Sequence, residues 1–283
     1  MRKKSSIASR RMQKLFSNKL AAVGMVVIVI MILMCVCAPL LTSADPSKLD
    51  TAQKFLPPSA EHLLGTDQLG RDLFARILYG GRVSIAIGLV SAIAANMLGV
   101  VLGCIAGYFG GKADSLLLYL AEFFSCFPQT LVVMIVMCFL GQSVFWLITI
   151  FAVTGWMGTM RMVRSKILSL KQEPYVDSCR VNGIGGMSIM FRHMLPNALG
   201  VVIVNITLSI SGYVLSEAGL SFLGLGVSPS IPTWGNMLNA AKNLTYMINN
   251  PLLWLVPGVA ISLFVLGCNF FGDGLRDAMD VTQ

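Results

Sequence analysis

The sequence predicts an all-α integral membrane protein with six transmembrane helices, and three observations carry that prediction. Of its 283 residues, 55% are hydrophobic and only 12% charged, and the mean hydropathy is +0.76; a soluble domain carries about 25% charge. Residues 20–41, 83–108, 115–140, 144–160, 198–222 and 252–271 are apolar stretches that approach or exceed the roughly 20 helical residues needed to cross about 30 Å of hydrocarbon. The Lys and Arg residues are divided unevenly between the two sides, with 15 of 21 on the side that would hold both termini. Basic residues gather in cytoplasmic loops, so both termini are expected in the cytoplasm.

The first stretch follows a basic tail containing Arg2, Lys3, Lys4, Arg10 and Arg11. A cleavable signal peptide begins the same way, but its apolar region runs about 7 to 15 residues, so the longer stretch here predicts an uncleaved first span. The segment after it is interrupted by Pro46, Pro57 and Pro58. It then predicts a short amphipathic helix, capped by Thr66 and Asp67, with Leu69, Leu73, Phe74, Ile77 and Leu78 on one face and an end at Gly80 and Gly81. Residues 1–82 thus form a tail, a first helix and an external loop with an amphipathic elbow, and residues 83–283 form a five-helix core.

In the second stretch, Gly99, Gly103 and Gly107, followed by Gly111, recur at four-residue spacing. Such a row makes a smooth groove against which a neighbouring helix packs closely, in this chain or in a second subunit. The third and fifth stretches each carry one acid, Glu122 and Glu217. Carboxylates are costly in hydrocarbon, which makes both candidates for a transport pathway or a subunit contact. Pro128 and Pro257 predict kinks in the third and sixth stretches. Six of the seven cysteines fall in spans and none in an external loop, so no disulfide framework is expected.

The longest cytoplasmic piece, residues 161–197, is hydrophilic at first, with Arg161, Arg164, Lys166 and Lys171. A helix-competent run over 175–182 follows, then Gly183, Gly185 and Gly186, then a second run over 187–195 that Pro196 stops. The expected product is a compact knob between two spans, suited to passing a push from a cytoplasmic partner into the membrane.

Several function classes lack their chemistry. Gly110-Gly111-Lys112 is not a phosphate loop, because Ala106 stands where its first glycine belongs and Ala113 where Ser or Thr would hold magnesium. The two histidines, His62 and His193, fall on opposite sides of the membrane, leaving nothing from which to build a metal cluster or a Ser-His-Asp site. The net charge of +8 is mostly the basic tail, a topology signal that needs no nucleic acid to explain it. No enzymatic activity, metal or cofactor is therefore expected on this chain. A stand-alone channel or secondary carrier is the alternative of a different class, but Glu122 and Glu217 lie near opposite ends of their spans, a poor proton relay, and the halves show no inverted repeat.

The knob also carries a resemblance. Asp177-Ser178-Cys179, three residues, Gly183, nine residues and then His193-Met194-Leu195-Pro196 resembles the EAA loop of bacterial ABC importer permeases. The spacing is kept; Asp-Ser-Cys replaces Glu-Ala-Ala, and His193 replaces an Ile. Three further stretches are similar to peptide and nickel permeases of the DppC and OppC type: His62 to Asp72 (HLLGTDQLGRD), Leu220 to Gly226 (LSFLGLG) with Trp234-Gly235 beyond it, and Gly272 to Ala278 (GDGLRDA). Where such relatives often place an Arg three residues before the acid of the third span, this chain has Tyr119.

The resemblance implies a MetI-like importer permease fold in the bacterial inner or plasma membrane. It implies as partners a second homologous permease, two cytoplasmic ATPase subunits holding ATP and Mg, and an external substrate-binding protein. Asp177, Ser178, Cys179 and Gly183, closed by Leu195 and Pro196, would form the coupling loop that docks on an ATPase. The implied cargo is a di- or oligopeptide, with nickel or a metal chelate as the alternative, moving between the two permeases.

Overall fold

The computed structural model describes residues 14–279, so the basic residues Arg2 to Arg11 of the tail lie outside the described part. Ten helices organise it: α1 (Lys19–Val36), α2 (Leu73–Phe109), α3 (Gly111–Ser125), α4 (Gln129–Leu140), α5 (Val144–Leu170), α6 (Pro174–Val181), α7 (Gly186–Phe222), α8 (Trp234–Ala240), α9 (Leu244–Asn249) and α10 (Leu252–Met279). Short helical turns also occur at Ala38–Leu41 and Thr51–Gln53, and no strand forms among the described residues. Helices α1, α2, α5, α7 and α10 are each long and apolar enough to cross a membrane, and α3 with α4 makes a sixth crossing bent by 78°.

The packing partners give the direction of each crossing. Gly99, Gly103 and Gly107 of α2 meet α5 around Trp156, Met160 and Arg164 in turn, so α2 and α5 run parallel. The bent α3–α4 pair must therefore cross back between them. Asn96 of α2 bonds Asn205 of α7 while Gly88 faces Ile210 and Val214, so α7 runs antiparallel to α2. Helix α1 lies antiparallel to α10 through Gly24 against Gly267 and Ala21 against Gly274. Six crossings bring the first and last described residues to the same face, together with the α5–α7 connection.

Helices outrun the apolar stretches that reveal them. Helix α2 has 37 residues, about 55 Å at 1.5 Å per residue, nearly twice the hydrocarbon thickness. The separate elbow helix expected over the residues before span two does not exist. Asp72 caps α2 by accepting the Ala75 N–H at 2.6 Å, and the helix runs through Gly80 and Gly81, across the 82/83 boundary, without a break. Those glycines serve close approach. A Cβ on Gly80 would lie 3.3 Å from the Thr233 backbone, and one on Gly81 would strike Cys35 Sγ and the Trp234 ring. Thr66 and Asp67 instead organise the loop before the helix. Asp67 accepts the Leu69 and Arg71 N–H groups and pairs with the Arg71 guanidinium at 2.7 Å, with Asp67 and Arg71 both buried.

Helix α5 continues to Leu170, so Arg161, Arg164 and Lys166 ride on a helix and not on a loop. Pro196 does not stop the second run of the knob either. Residues Ile189–Met194 widen into a π-helical turn, with the Leu195 N–H donating to Met190 O, and the chain passes directly into the membrane-spanning part of α7. A proline removes one N–H and crowds the carbonyl four residues back; the wider turn relieves both. Pro128, by contrast, does break its span, separating α3 from α4.

Three of the four glycines in the row face α5 closely. A Cβ on Gly99 would lie 2.7 Å from Trp156 O, on Gly103 2.7 Å from Met160 O and on Gly107 2.9 Å from Arg164 O. The groove is therefore filled within this chain, by the α5 backbone. Gly111 does not belong to it: it lies past the end of α2, at φ +55° with nothing within 4 Å of a Cβ, and forms with Gly110 the turn into α3.

Candidate functional site

In the α5–α7 connection a short helix, α6, sits directly on the ends of three crossing helices. It begins at Lys171, whose ammonium donates to Tyr108 O at the end of α2 (2.7 Å) and lies 5.8 Å from the Tyr108 ring centroid. Pro174 occupies the first turn of α6, where its missing N–H costs nothing. On the inner side of α6, Val176 is fully buried, and Tyr175, Cys179 and Ile184 pack beside it. They enter a core made by Val100 and Cys104 of α2, Val163 and Ile167 of α5 and Ile189, Met190 and Met194 of α7. Burying a Val side chain contributes about 1.5–3 kcal/mol, enough to seat a helix this short against its support.

The C-terminus of α6 explains Gly183. The Ile184 N–H donates to Cys179 O at 3.1 Å and the Gly183 N–H to Arg180 O at 3.0 Å, a Schellman pattern that requires a left-handed residue at Gly183, where φ is +73°. No atom lies within 4 Å of a Cβ placed there, so the constraint at Gly183 is conformational and not one of space. Gly186 has the opposite requirement: a Cβ would stand 2.8 Å from the Tyr108 ring. Both ends of the loop are thus fixed on Tyr108.

What remains outward is a small polar and apolar surface. Asp177 and Arg180 form an exposed ion pair at 2.8 Å, Ser178 donates back to Pro174 O, and Val181 is 89% exposed. Leu195 is half-buried at the start of the membrane part of α7, and Pro196 is exposed beside it, away from the tip. Of the six residues expected to carry the loop, Asp177, Ser178 and Gly183 lie on its outer surface, Cys179 turns into the support, and Leu195 and Pro196 belong to the following helix.

The two span carboxylates have different surroundings. Glu217 of α7 is fully buried: its Oε2 accepts the Ser84 hydroxyl at 3.0 Å and its Oε1 the Ser221 hydroxyl at 2.8 Å, while Ser84 Oγ also receives the Trp234 N–H. The carboxylate therefore ties α2 and α7 to the start of α8. Gly235 fits the same junction, with a would-be Cβ 2.7 Å from Ala218 Cα, and Asn236 Nδ2 holds the carbonyls of Val227, Ser228 and Ile231. Glu122 is exposed on α3, with no side-chain hydrogen bond among the described residues. The structure does not bring Glu122 and Glu217 together.

Sequence reasoning missed a second buried polar cluster. Asn96 Oδ1 accepts the Thr159 hydroxyl at 2.8 Å and the Asn205 amide at 2.7 Å, and Asn205 Nδ2 also donates to Thr159 at 2.9 Å. This triad joins α2, α5 and α7, the three helices that support α6. An asparagine in each of two apolar stretches was its signal, since polar side chains in hydrocarbon seek one another.

Comparison with known proteins agrees with this architecture. Residues 99–281 match the family model described as binding-protein-dependent transport system inner membrane component, and residues 6–58 match the N-terminal TM domain of oligopeptide transport permease C. The chain is 37% identical over 279 residues to the oligopeptide transport system permease protein OppC of Bacillus subtilis, covering 99% of this chain and 91% of that protein. It is 39% identical over 268 residues to the dipeptide transport system permease protein DppC of Alkalihalophilus pseudofirmus, covering 95% and 88%. The Bacillus subtilis DppC is 36% identical over 273 residues, covering 96% and 84%. A match of this extent, over a helical membrane fold that carries the α6 loop, places the chain in the family of binding-protein-dependent transport system inner membrane components.

Proposed function

We propose that this chain is one membrane subunit of an ATP-driven importer of di- or oligopeptides, in which α6 docks on a cytoplasmic ATPase subunit. The observation that carries the reading is the construction of α6. Its inner side packs into the apolar core of α2, α5 and α7, while Asp177, Arg180 and Val181 are presented outward. A push on the outer surface has no slack to absorb it before reaching the crossing helices. The relatives' names support peptides as the cargo.

In this reading both termini and the α6 loop face the cytoplasm of a bacterial cell, in keeping with the basic bias of that side. An external binding protein delivers the peptide at the opposite face. A second homologous permease completes the pathway, lying against surfaces such as the outward face of α3–α4, where Tyr119, Phe123, Leu131 and Ile135 are exposed. Asp177, Ser178 and Gly183 make the docking surface, and Cys179, Leu195 and Pro196 join it to the membrane. ATP and Mg bind on the partner subunits, and this chain supplies neither a nucleotide site nor a metal site. We read the chain as two segments, residues 1–82 with the tail, first helix and external loop and residues 83–283 with the core and its loop, joined without a break through α2.

The test is direct. The purified chain is expected neither to bind nor to hydrolyse ATP, and cellular peptide uptake through it is expected to stop when the ATPase subunits are deleted. Nucleotide binding by the isolated chain at micromolar concentration, or uptake that persists without the ATPases, contradicts the proposal.

A further inference from the structure

The bent pair α3–α4 is held to the rest of the molecule in an unusual way. Before α3 lies the Gly110–Gly111 turn, both residues at positive φ and neither with an atom within 4 Å of a Cβ. After it lies the 78° break at Pro128. The helix is thus jointed at both ends, and its apolar seat is shallow: Ala121 is its only fully buried residue, set against Ala106, Trp156 and Met160.

Among the described residues, its side-chain polar attachments go to one helix. Asp114, in the first turn of α3, takes both the Nε and, at 2.6 Å, the Nη2 of Arg164. Ser125, in the last turn, accepts from Arg161 Nη2 at 3.4 Å, and Gln129, at the start of α4, donates to Thr154 at 3.0 Å. Residues 164, 161 and 154 are all on α5, the helix that continues into the α6 loop. The forked Arg164 contact is the strongest of the three, since a bidentate guanidinium–carboxylate pair fixes orientation as well as distance. Gly107 packs against Arg164 O, so the same residue also marks where α5 is locked to α2.

We infer that the Asp114–Arg164 pair passes movement of the α6 loop, carried by α5, to the jointed α3–α4 arm, making both positioning residues for the ATP-driven step. The inference rests on the importer reading above. A joint at each end lets α3 swing as a unit, and a rigid two-point ion pair at its first turn makes it follow α5 instead of drifting. Arg164 is six residues from the end of α5, close to where the loop delivers its push. Without the pair, ATP hydrolysis continues, but the arm no longer moves in step with it.

The experiment uses the complete importer, with both permeases, ATPase subunits and binding protein in proteoliposomes, and measures peptide uptake and ATP hydrolysis together, each per assembled complex. For Asp114→Asn and for Arg164→Gln, uptake per ATP hydrolysed is expected to fall about tenfold, within the range seen when coupling residues are changed. The exchanged double variant Asp114→Arg, Arg164→Asp is expected to restore that ratio to within about twofold of the wild type. An unchanged ratio, even with less assembled complex, overturns the linkage, as does an exchange that restores nothing. Absence of ATP-driven uptake with the wild-type chain would instead contradict the importer reading.

Discussion

Gly183→Arg is expected to abolish ATP-driven uptake while leaving the chain inserted and the two permeases assembled. The left-handed φ of +73° at this position costs a side-chain-bearing residue about 1–2 kcal/mol, a fraction of the 5–15 kcal/mol that holds a protein together. Folding therefore survives, but the Schellman end of α6 does not stay as it is, and a long cation is placed beside Val181 on the outward surface. Asparagine tolerates left-handed backbone better than other non-glycine residues, so Gly183→Asn is expected to keep at least about half of the uptake where Arg keeps less than about one tenth. Uptake and co-purification of the ATPase subunits, measured together, check this. Normal uptake by the Arg variant with the ATPases still bound would remove the docking role of α6.

The largest expected effect on stability is at Gly103. A Leu there would place its Cβ 2.7 Å from Met160 O and 2.8 Å from Val163 Cβ, and its remaining carbons further into α5. A flexible side chain could turn aside, but the nearest atom is backbone, so α2 and α5 must separate. The expected cost is about 3 kcal/mol, the upper end of the range for overpacked cores. At this chain length that corresponds to a fall of about 10 °C in apparent Tm in detergent. Gly158→Leu is the control: Gly158 lies on α5, and nothing stands within 4 Å of a Cβ there. Equal melting of the two variants would show that the glycine row is not what holds these helices together.

Apolar length marked the five membrane-length helices and the bent α3–α4 pair, and the four-residue glycine spacing falls on the face of α2 that α5 meets. What the sequence hid has common physical causes. Hydropathy marks where hydrocarbon ends, while a helix ends where its hydrogen bonds end, so α2 and α5 ran past their apolar limits. Gly80, Gly81 and Pro196 have the composition of breaks, but in apolar surroundings an unsatisfied backbone group is costly, and the chain kept its helical bonds, with a π turn at the proline. Gly183 was legible as a break, and the structure adds that the break is a left-handed cap with open space around it.

The polar joints were less legible because each is made of residues distant in sequence. Asn96 with Asn205, Glu217 with Ser84, and Asp114 with Arg164 are separated by 109, 133 and 50 positions, and each pair needs the helix packing before its partner can be named. Glu217 was singled out by cost alone, and its fully buried site between two serine hydroxyls shows a carboxylate used to join helices. Glu122, singled out on the same ground, stays exposed on the jointed arm.

Val181, 89% exposed at the tip of α6, offers the most direct measurement of the central claim that this loop is the ATPase dock. In a chain whose seven free cysteines have been replaced, Val181→Cys is introduced and its reaction with an impermeant thiol reagent is followed in inside-out vesicles, with and without the ATPase subunits. The account predicts rapid labelling in the bare membrane and protection of about tenfold or more when the ATPases are bound, since an interface excludes reagent from its centre. Labelling at the same rate in both membranes, or labelling only from the opposite side, would contradict it.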